Sequence, residues 1–138
     1  MAFFTTHTVR FADIDAAGIA FFSRMYEWSH FAYEEALASV GLPLMDLLET
    51  SEVLMPLVHS EADYKAPCRL GDKLSIAVVI ETSTQRSVTW KFTFTGEDGK
   101  LRGVVRLVCV PVSREFKPVK GMPEGWVKLF REAGLYGT

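Results

Sequence analysis

The hydrophobic positions change period part-way along the chain. Between Ser23 and Val40 a stripe of Met25, Trp28, Ala32, Ala36 and Val40 recurs at helical spacing, flanked by Tyr26, Tyr33 and Leu37. That pattern predicts one long amphipathic helix. Gly41 stands where a left-handed cap closes a helix, and Pro43 prevents its continuation. Beyond this point the period falls to two. Leu74, Ile76, Val78 and Ile80 alternate with Ser75, Ala77, Val79 and Glu81, and Val88, Trp90, Phe92 and Phe94 alternate with Thr89, Lys91, Thr93 and Thr95. Each is the pattern of a strand with one buried face. Gly96, Glu97, Asp98 and Gly99 form a turn into a further β-rich run, Leu101 to Val112, so the sheet is expected to be largely antiparallel. Val53 to Tyr64 reads as another strand, and the segment from Phe3 to Phe11, chiefly on Thr8 to Phe11, as the first. A short helical turn is expected at Met45 to Thr50 and a short helix at Gly125 to Gly134, carrying Trp126, Leu129 and Phe130. The order strand, helix, then four strands predicts an α+β fold in which a single helix buries its stripe on the sheet.

Composition narrows the function classes. A chain of 138 residues with 49% hydrophobic content supports one core, so residues 1–138 are read as a single domain. A formal charge of -2 and a pI near 5.9 argue against a general polyanion binder, and any phosphate-bearing ligand must be met by a few local cations. The N-terminal segment has no basic stretch ahead of an apolar run, and no run reaches membrane-spanning length, so a soluble, cytoplasmic protein is expected. Cys68 and Cys109 stand far apart without metal-ligand spacing and read as buried thiols in a reducing compartment; no metal is expected.

The chemistry concentrates in Phe11-Ala-Asp13-Ile-Asp15-Ala-Ala-Gly18-Ile19-Ala-Phe21-Phe22, just before the long helix. An acidic loop there often does no more than complement the helix dipole or supply a turn. A carboxylate among Ile14, Ile19, Phe21 and Phe22, however, is costly to bury without partners, and such placement is commoner at working sites. Gly18 serves either as a turn glycine or to let the backbone approach a substrate closely.

The run Asp13-x-Asp15-x-x-Gly18-Ile19, leading through Phe21 and Phe22 into a helix with Trp28 and Glu35, resembles the signature of the 4-hydroxybenzoyl-CoA thioesterase family of hotdog proteins. Asp63-Tyr-Lys-Ala-Pro67, followed by Leu70-Gly71-Asp72, resembles that family's second segment. The Phe-Ala-Asp-x-Asp-Ala-Ala-Gly wording and Tyr33-Glu34-Glu35 are similar to the 1,4-dihydroxy-2-naphthoyl-CoA thioesterase type. The resemblance covers Thr6 to Val112. It implies a hotdog fold, with a central helix wrapped by an antiparallel sheet, and a homodimer or homotetramer that binds acyl-CoA between subunits.

It further implies that Asp15 is the catalytic carboxylate, either nucleophile or general base toward water, and that Asp13 shapes the loop. Either role suits thioester hydrolysis. The resemblance places the oxyanion donor at the backbone N–H of Phe22, in the first helical turn where amides lack intrahelical partners. Some relatives carry histidine at the position of Phe22; the departure points to an apolar or aromatic acyl pocket lined by Ile19, Phe21, Phe22 and Tyr26. Arg86, with Ser87, lies in the turn where relatives hold CoA phosphates, and Arg114 and Lys117 are secondary candidates; all three cations also read as ordinary surface charge. No cofactor is implied, since CoA is part of the substrate. Another hotdog branch carries its carboxylate on the helix, which keeps Glu27, Glu34 and Glu35 in view. His30 and His59 read as structural. The competing functions are hydrolysis of short- or long-chain acyl-CoA or acyl carrier protein esters, hydration or dehydration of acyl chains, and non-catalytic acyl-CoA binding. The absence of a His-rich loop disfavours the dehydratases, and the complete Asp15 motif disfavours a binding module.

Overall fold

The computed structural model describes residues 2–137. The helices are α1 (Arg24–Ser39), α2 (Leu44–Thr50) and α3 (Glu124–Glu132). The strands are β1 (Phe3–Thr8), β2 (Val53–Leu54), β3 (Leu57–Tyr64), β4 (Lys73–Ser83), β5 (Val88–Gly96), β6 (Leu101–Cys109) and β7 (Val112–Ser113). Five strands form one antiparallel sheet in the order β1-β4-β5-β6-β3, and β2 pairs with β7 separately. The fold is α+β, as the pattern predicts. Among the described residues no helix is long and apolar enough to cross a membrane.

The period-two runs explain which face is covered. Leu74, Ile76, Val78 and Ile80 of β4, Val88, Trp90, Phe92 and Phe94 of β5, and Val105 and Leu107 of β6 are all buried on the side facing α1. The helix answers with Met25, Trp28, Ala32, Ala36 and Leu37. Ala32 and Ala36 are small, so the helix lies close to the strands, and Trp28 fills the space at one end with its ring 6.1 Å from that of Phe94. Each large side chain so buried stabilises the fold by about 1.5–3 kcal/mol. Gly41 closes α1 as expected: it has positive φ, its N–H reaches the Ala38 carbonyl, and the Leu42 N–H reaches Leu37.

Four details depart from the pattern. The first strand ends at Thr8, not Phe11, because the Val9 N–H and C=O bond to Asp72 and Gly71 of another loop. Phe11 then opens a 3-10 turn, Phe11–Asp13, with its ring exposed. The run Val53 to Tyr64 is two strands, broken at Pro56, which has no N–H to give a ladder. The run Leu101 to Val112 is likewise interrupted, at Val110 and Pro111, before β7. Finally, α1 is not the only helix on the sheet: α3 seats Phe130 edge-on against Trp90 at 5.5 Å.

Gly103 of β6 marks the closest approach of sheet and helix. A Cβ there would fall 2.7 Å from the Met25 sulfur and 2.8 Å from the Asp63 carbonyl. Gly103→Ala is therefore expected to destabilise the protein by about 1–3 kcal/mol in urea unfolding. An unchanged midpoint would contradict this packing.

Candidate active site

The two signature segments are folded onto each other. The Ala20 N–H donates to the Cys68 carbonyl at 2.8 Å, and Ile19 and Arg69 form a β-bridge. The Asp72 carboxylate accepts from the Arg69 N–H at 2.8 Å, fixing the turn whose Gly71 adopts positive φ and bonds to Val9. Residues 67–72 thus form a shelf under the acidic loop. Within that loop, the Asp15 carboxylate accepts from the Ala17 N–H at 2.8 Å, its C=O from Gly18 and its N–H reaches Ile19. Gly18, at φ 81°, makes the reversal; only this conformation brings Ile19 back toward Asp15.

The buried carboxylate is Asp13, whereas Asp15 is exposed, so the cost of burial falls on the other acid of the pair. Asp13 accepts from the Arg10 N–H at 2.9 Å and meets His7 Nε2 at 3.1 Å. Burial pushes its pKa up, but the Arg10 amide, His7 and Trp28 together outweigh burial and hold it below the ordinary carboxylate value. His7 in turn lies against Trp28 at 4.5 Å. Asp13 therefore joins β1, the acidic loop and α1, the loop-shaping part expected for it.

Asp15 opens onto a cleft of about 640 Å³ shared with Ile19, Phe21, Phe22, Tyr64 and Cys68. Phe21 donates its N–H to the Asp13 carbonyl, and the Arg24 N–H reaches the Phe21 carbonyl. Among the described residues, no hydrogen bond uses the N–H of Phe22 or Ser23. These amides precede α1 and lie where partial positive charge gathers. The Tyr64 hydroxyl donates to the Phe22 carbonyl, which fixes the plane of that peptide. Burial, with Tyr26 nearby, raises the Tyr64 pKa and keeps the phenol a donor. Cys68 is no competing nucleophile: burial pushes its thiol up to about 11, so it stays protonated at neutral pH.

Asp15, Gly18, Ile19, Phe21 and Phe22 come together as the sequence suggests. Tyr26 does not line the cleft, and Arg86 and Ser87 lie in the β4–β5 turn, at the end of β5 away from Phe94 and Trp28. There the Arg86 and Ser87 amides bond to Thr84 Oγ1. Arg114 is tied to the Leu48 carbonyl at 3.0 Å, and Lys117 is exposed in the turn after β7. Of the helical acids, Glu27 pairs with Arg24 at 2.8 Å, and neither Glu34 nor Glu35 lines the cleft. His59 stands beside Glu61 on the exposed surface. Sequence reasoning missed Tyr64 and Lys65 as cleft residues, although both lie in the second signature segment.

A second, apolar cavity of about 530 Å³ lies between α1, α2, β2 and α3, floored by Trp90, Leu107 and Phe130. It shares no lining residue with the Asp15 cleft. His30 and Glu34 stand at its edge.

Residues 9–130 match the family model described as the thioesterase-like superfamily. The chain belongs to that superfamily. It is 35% identical over 134 residues to a 1,4-dihydroxy-2-naphthoyl-CoA hydrolase of Prochlorococcus marinus (strain MIT 9313), spanning 92% of this chain and 88% of the relative. It is 33% identical to the enzyme of the same name from Nostoc punctiforme, over 85% of this chain and 80% of the other. The crystal structure of a 1,4-dihydroxy-2-naphthoyl-CoA thioesterase from Synechocystis superposes with a TM-score of 0.88 at 25% identity, covering 97% of this chain and 98% of that one. The chain is thus a hotdog thioesterase, as its two signature segments imply.

The Asp13 contacts carry a pH dependence. A carboxylate whose pKa is lowered by folding stabilises the protein fully above its ordinary value, and that stabilisation is lost as pH falls through the folded value. Asp13→Asn should cost about 1–3 kcal/mol at neutral pH and flatten the loss of stability in acid, read from urea midpoints across pH. Parallel pH curves for the two proteins would remove Asp13 from this role.

Proposed function

We propose that the protein hydrolyses an aromatic acyl-CoA, of the 1,4-dihydroxy-2-naphthoyl kind, to the free acid and CoA, with Asp15 as the reacting carboxylate. The observation that carries this reading is the pairing, in one cleft, of an exposed Asp15 carboxylate with the unused N–H of Phe22 at the start of α1. A thioester carbonyl placed between them meets a nucleophile or base on one side and an oxyanion donor on the other. Asp15 either attacks the carbonyl carbon, giving a mixed anhydride that water then cleaves to the free acid and the regenerated carboxylate, or takes a proton from a water that attacks the carbonyl directly. The negative charge forms on the carbonyl oxygen beside Phe22, the C–S bond breaks, and CoA leaves as its thiolate. The names of the relatives supply the acyl class, and Phe21 and Phe22 supply an aromatic surface fitted to it.

The working unit in this reading is a homodimer or a tetramer of such dimers. β3 bonds to β6 on one side only, leaving a free edge with exposed Leu57, Val58 and Tyr64. Free edges of this kind are pairing surfaces. Phosphates of CoA fall to Lys65 at the cleft and to Arg86 and Ser87 of a second copy, since Arg86 of the same chain stands at the other end of the sheet. Buried, unpaired Cys68 and Cys109 suit a reducing cytoplasm.

Thiol release from 1,4-dihydroxy-2-naphthoyl-CoA, benzoyl-CoA and acetyl-CoA tests the reading. Asp15→Asn should lower kcat by about a hundredfold or more on the aromatic esters without changing unfolding midpoint or oligomer size. Full activity in that variant would transfer the chemistry to the helical glutamates, and no turnover by the parent on any ester would favour acyl-CoA binding without catalysis.

A further inference from the structure

The chain entering α1 carries three carbonyls ahead of the regular helix, and they are used differently. The Phe21 carbonyl accepts from the Arg24 N–H at 2.9 Å, and the Ser23 carbonyl accepts from Tyr26 and Glu27. Among the described residues no backbone N–H donates to the Phe22 carbonyl; its donor is the Tyr64 hydroxyl, 42 residues further along the chain. A peptide unit is planar and trans, so its C=O and N–H point in opposite directions. Holding the Phe21 carbonyl therefore fixes the direction of the Phe22 N–H, and holding the Phe22 carbonyl fixes that of the Ser23 N–H. The two planes meet at the Cα of Phe22, and pinning both fixes its φ and ψ. The Arg24 amide supplies one clamp from within the helix, and Tyr64 supplies the other from across the cleft.

The strand end that carries Tyr64 is firmly held. Tyr64 closes β3 opposite Gly103 of β6, and the next two amides, of Lys65 and Ala66, both donate to the Arg102 carbonyl, at 2.9 and 3.1 Å. Gly103 is also where the Met25 side chain comes closest to the sheet, so the first turn of α1 and the base of Tyr64 rest on one residue. To donate, the phenol must keep its proton. The titratable groups around it are Tyr26 of α1, Asp15 of the acidic loop, the neighbouring Lys65 and Cys68 of the shelf. Burial, with Tyr26, holds its pKa above the ordinary phenol value, so the bond to Phe22 persists through neutral pH. The single hydroxyl proton is spent on the protein and not offered to a ligand.

Resting on the function proposed above, we infer that Tyr64 is a positioning residue for thioester hydrolysis: by holding the Phe22 carbonyl it keeps the unused amides of Phe22 and Ser23 aimed at the carbonyl oxygen of the bound ester. Donors to a developing oxyanion are effective to the extent that they are aimed before the charge forms. The contribution of Tyr64 therefore falls on the transition state and not on substrate binding.

The test compares the parent chain with Tyr64→Phe and with a protein carrying difluorotyrosine in place of Tyr64, folding and oligomer size verified for each. Tyr64→Phe should lower kcat on 1,4-dihydroxy-2-naphthoyl-CoA by about tenfold and leave KM within about twofold. No loss, or a loss confined to KM, overturns the inference and leaves the thioesterase reading standing. Difluorotyrosine keeps the shape of the ring while its phenol ionises near neutral pH, so kcat should fall as pH rises through that ionisation, where the parent holds its rate. A side chain that served only to fill space would give parallel pH profiles, which would overturn the inference even if Tyr64→Phe proved unstable. Nuclear magnetic resonance of protein with isotope-labelled phenylalanine and serine reads the clamp without any ester: the Phe22 and Ser23 amide signals should shift or broaden in Tyr64→Phe, and unmoved signals end the proposal. That readout separates the two claims. A parent that hydrolyses no ester would sink the function proposed above, while displaced signals would still uphold Tyr64 as the residue that orders these amides.

Discussion

Everything at the cleft is positioned by the burial of one helical stripe on one sheet face. Trp28, Ala32 and Ala36 of α1 meet Phe92, Phe94 and Val105 with almost no surface left to water. The two alanines set how deep the helix lies, and Gly103 lets its first turn press against β6. With the helix so fixed, its N-terminal amides point into a defined space, and the chain entering it has one path to follow. The cost of ordering that entering loop is offset by the core beneath it.

The loop itself is held by Asp13. One carboxylate ties β1, through His7, to the start of the loop, through the Arg10 amide, and His7 in turn packs on Trp28 of the helix. The division of labour between two acids two residues apart follows from where they point. Asp13 is buried, and its Oδ2 accepts from the Arg10 amide and meets His7, which turns it toward the protein. Asp15 is exposed, with one oxygen bonded to the Ala17 amide and the other open to the cleft. Stability thereby falls to Asp13 and, in the proposed function, reactivity to Asp15, whose loop is held in place by the shelf at residues 67–72.

Much of this was legible in the chain. The helix and its Gly41 cap, the alternation of β4 and β5, and the acidic motif all rest on local periodicity or turn chemistry, which survive folding unchanged. The end of β1 was not legible, because Val9 leaves the strand for bonds to Gly71 and Asp72, 62 and 63 residues further along, and a long-range pairing of this kind escapes local pattern. The breaks at Pro56 and Pro111 were visible as prolines, yet both runs keep strand composition on either side. Tyr64 was hidden for another reason: its part depends on reaching the Phe22 carbonyl across the cleft, a contact no spacing records. The apolar cavity escaped because it is assembled from α1, α2, β2, β6 and α3 at once, each contributing residues that read only as core.

The account stands or falls on where the thioester carbonyl sits. A crystal structure with a non-hydrolysable ketone analogue of 1,4-dihydroxy-2-naphthoyl-CoA measures this directly. The carbonyl oxygen is expected about 2.7–3.1 Å from the Phe22 nitrogen, with an Asp15 carboxylate oxygen about 3–3.5 Å from the carbonyl carbon or one water away. An analogue bound with its carbonyl against Glu34 or Glu35, and with Asp15 facing solvent, would contradict the assignment of the reaction to Asp15.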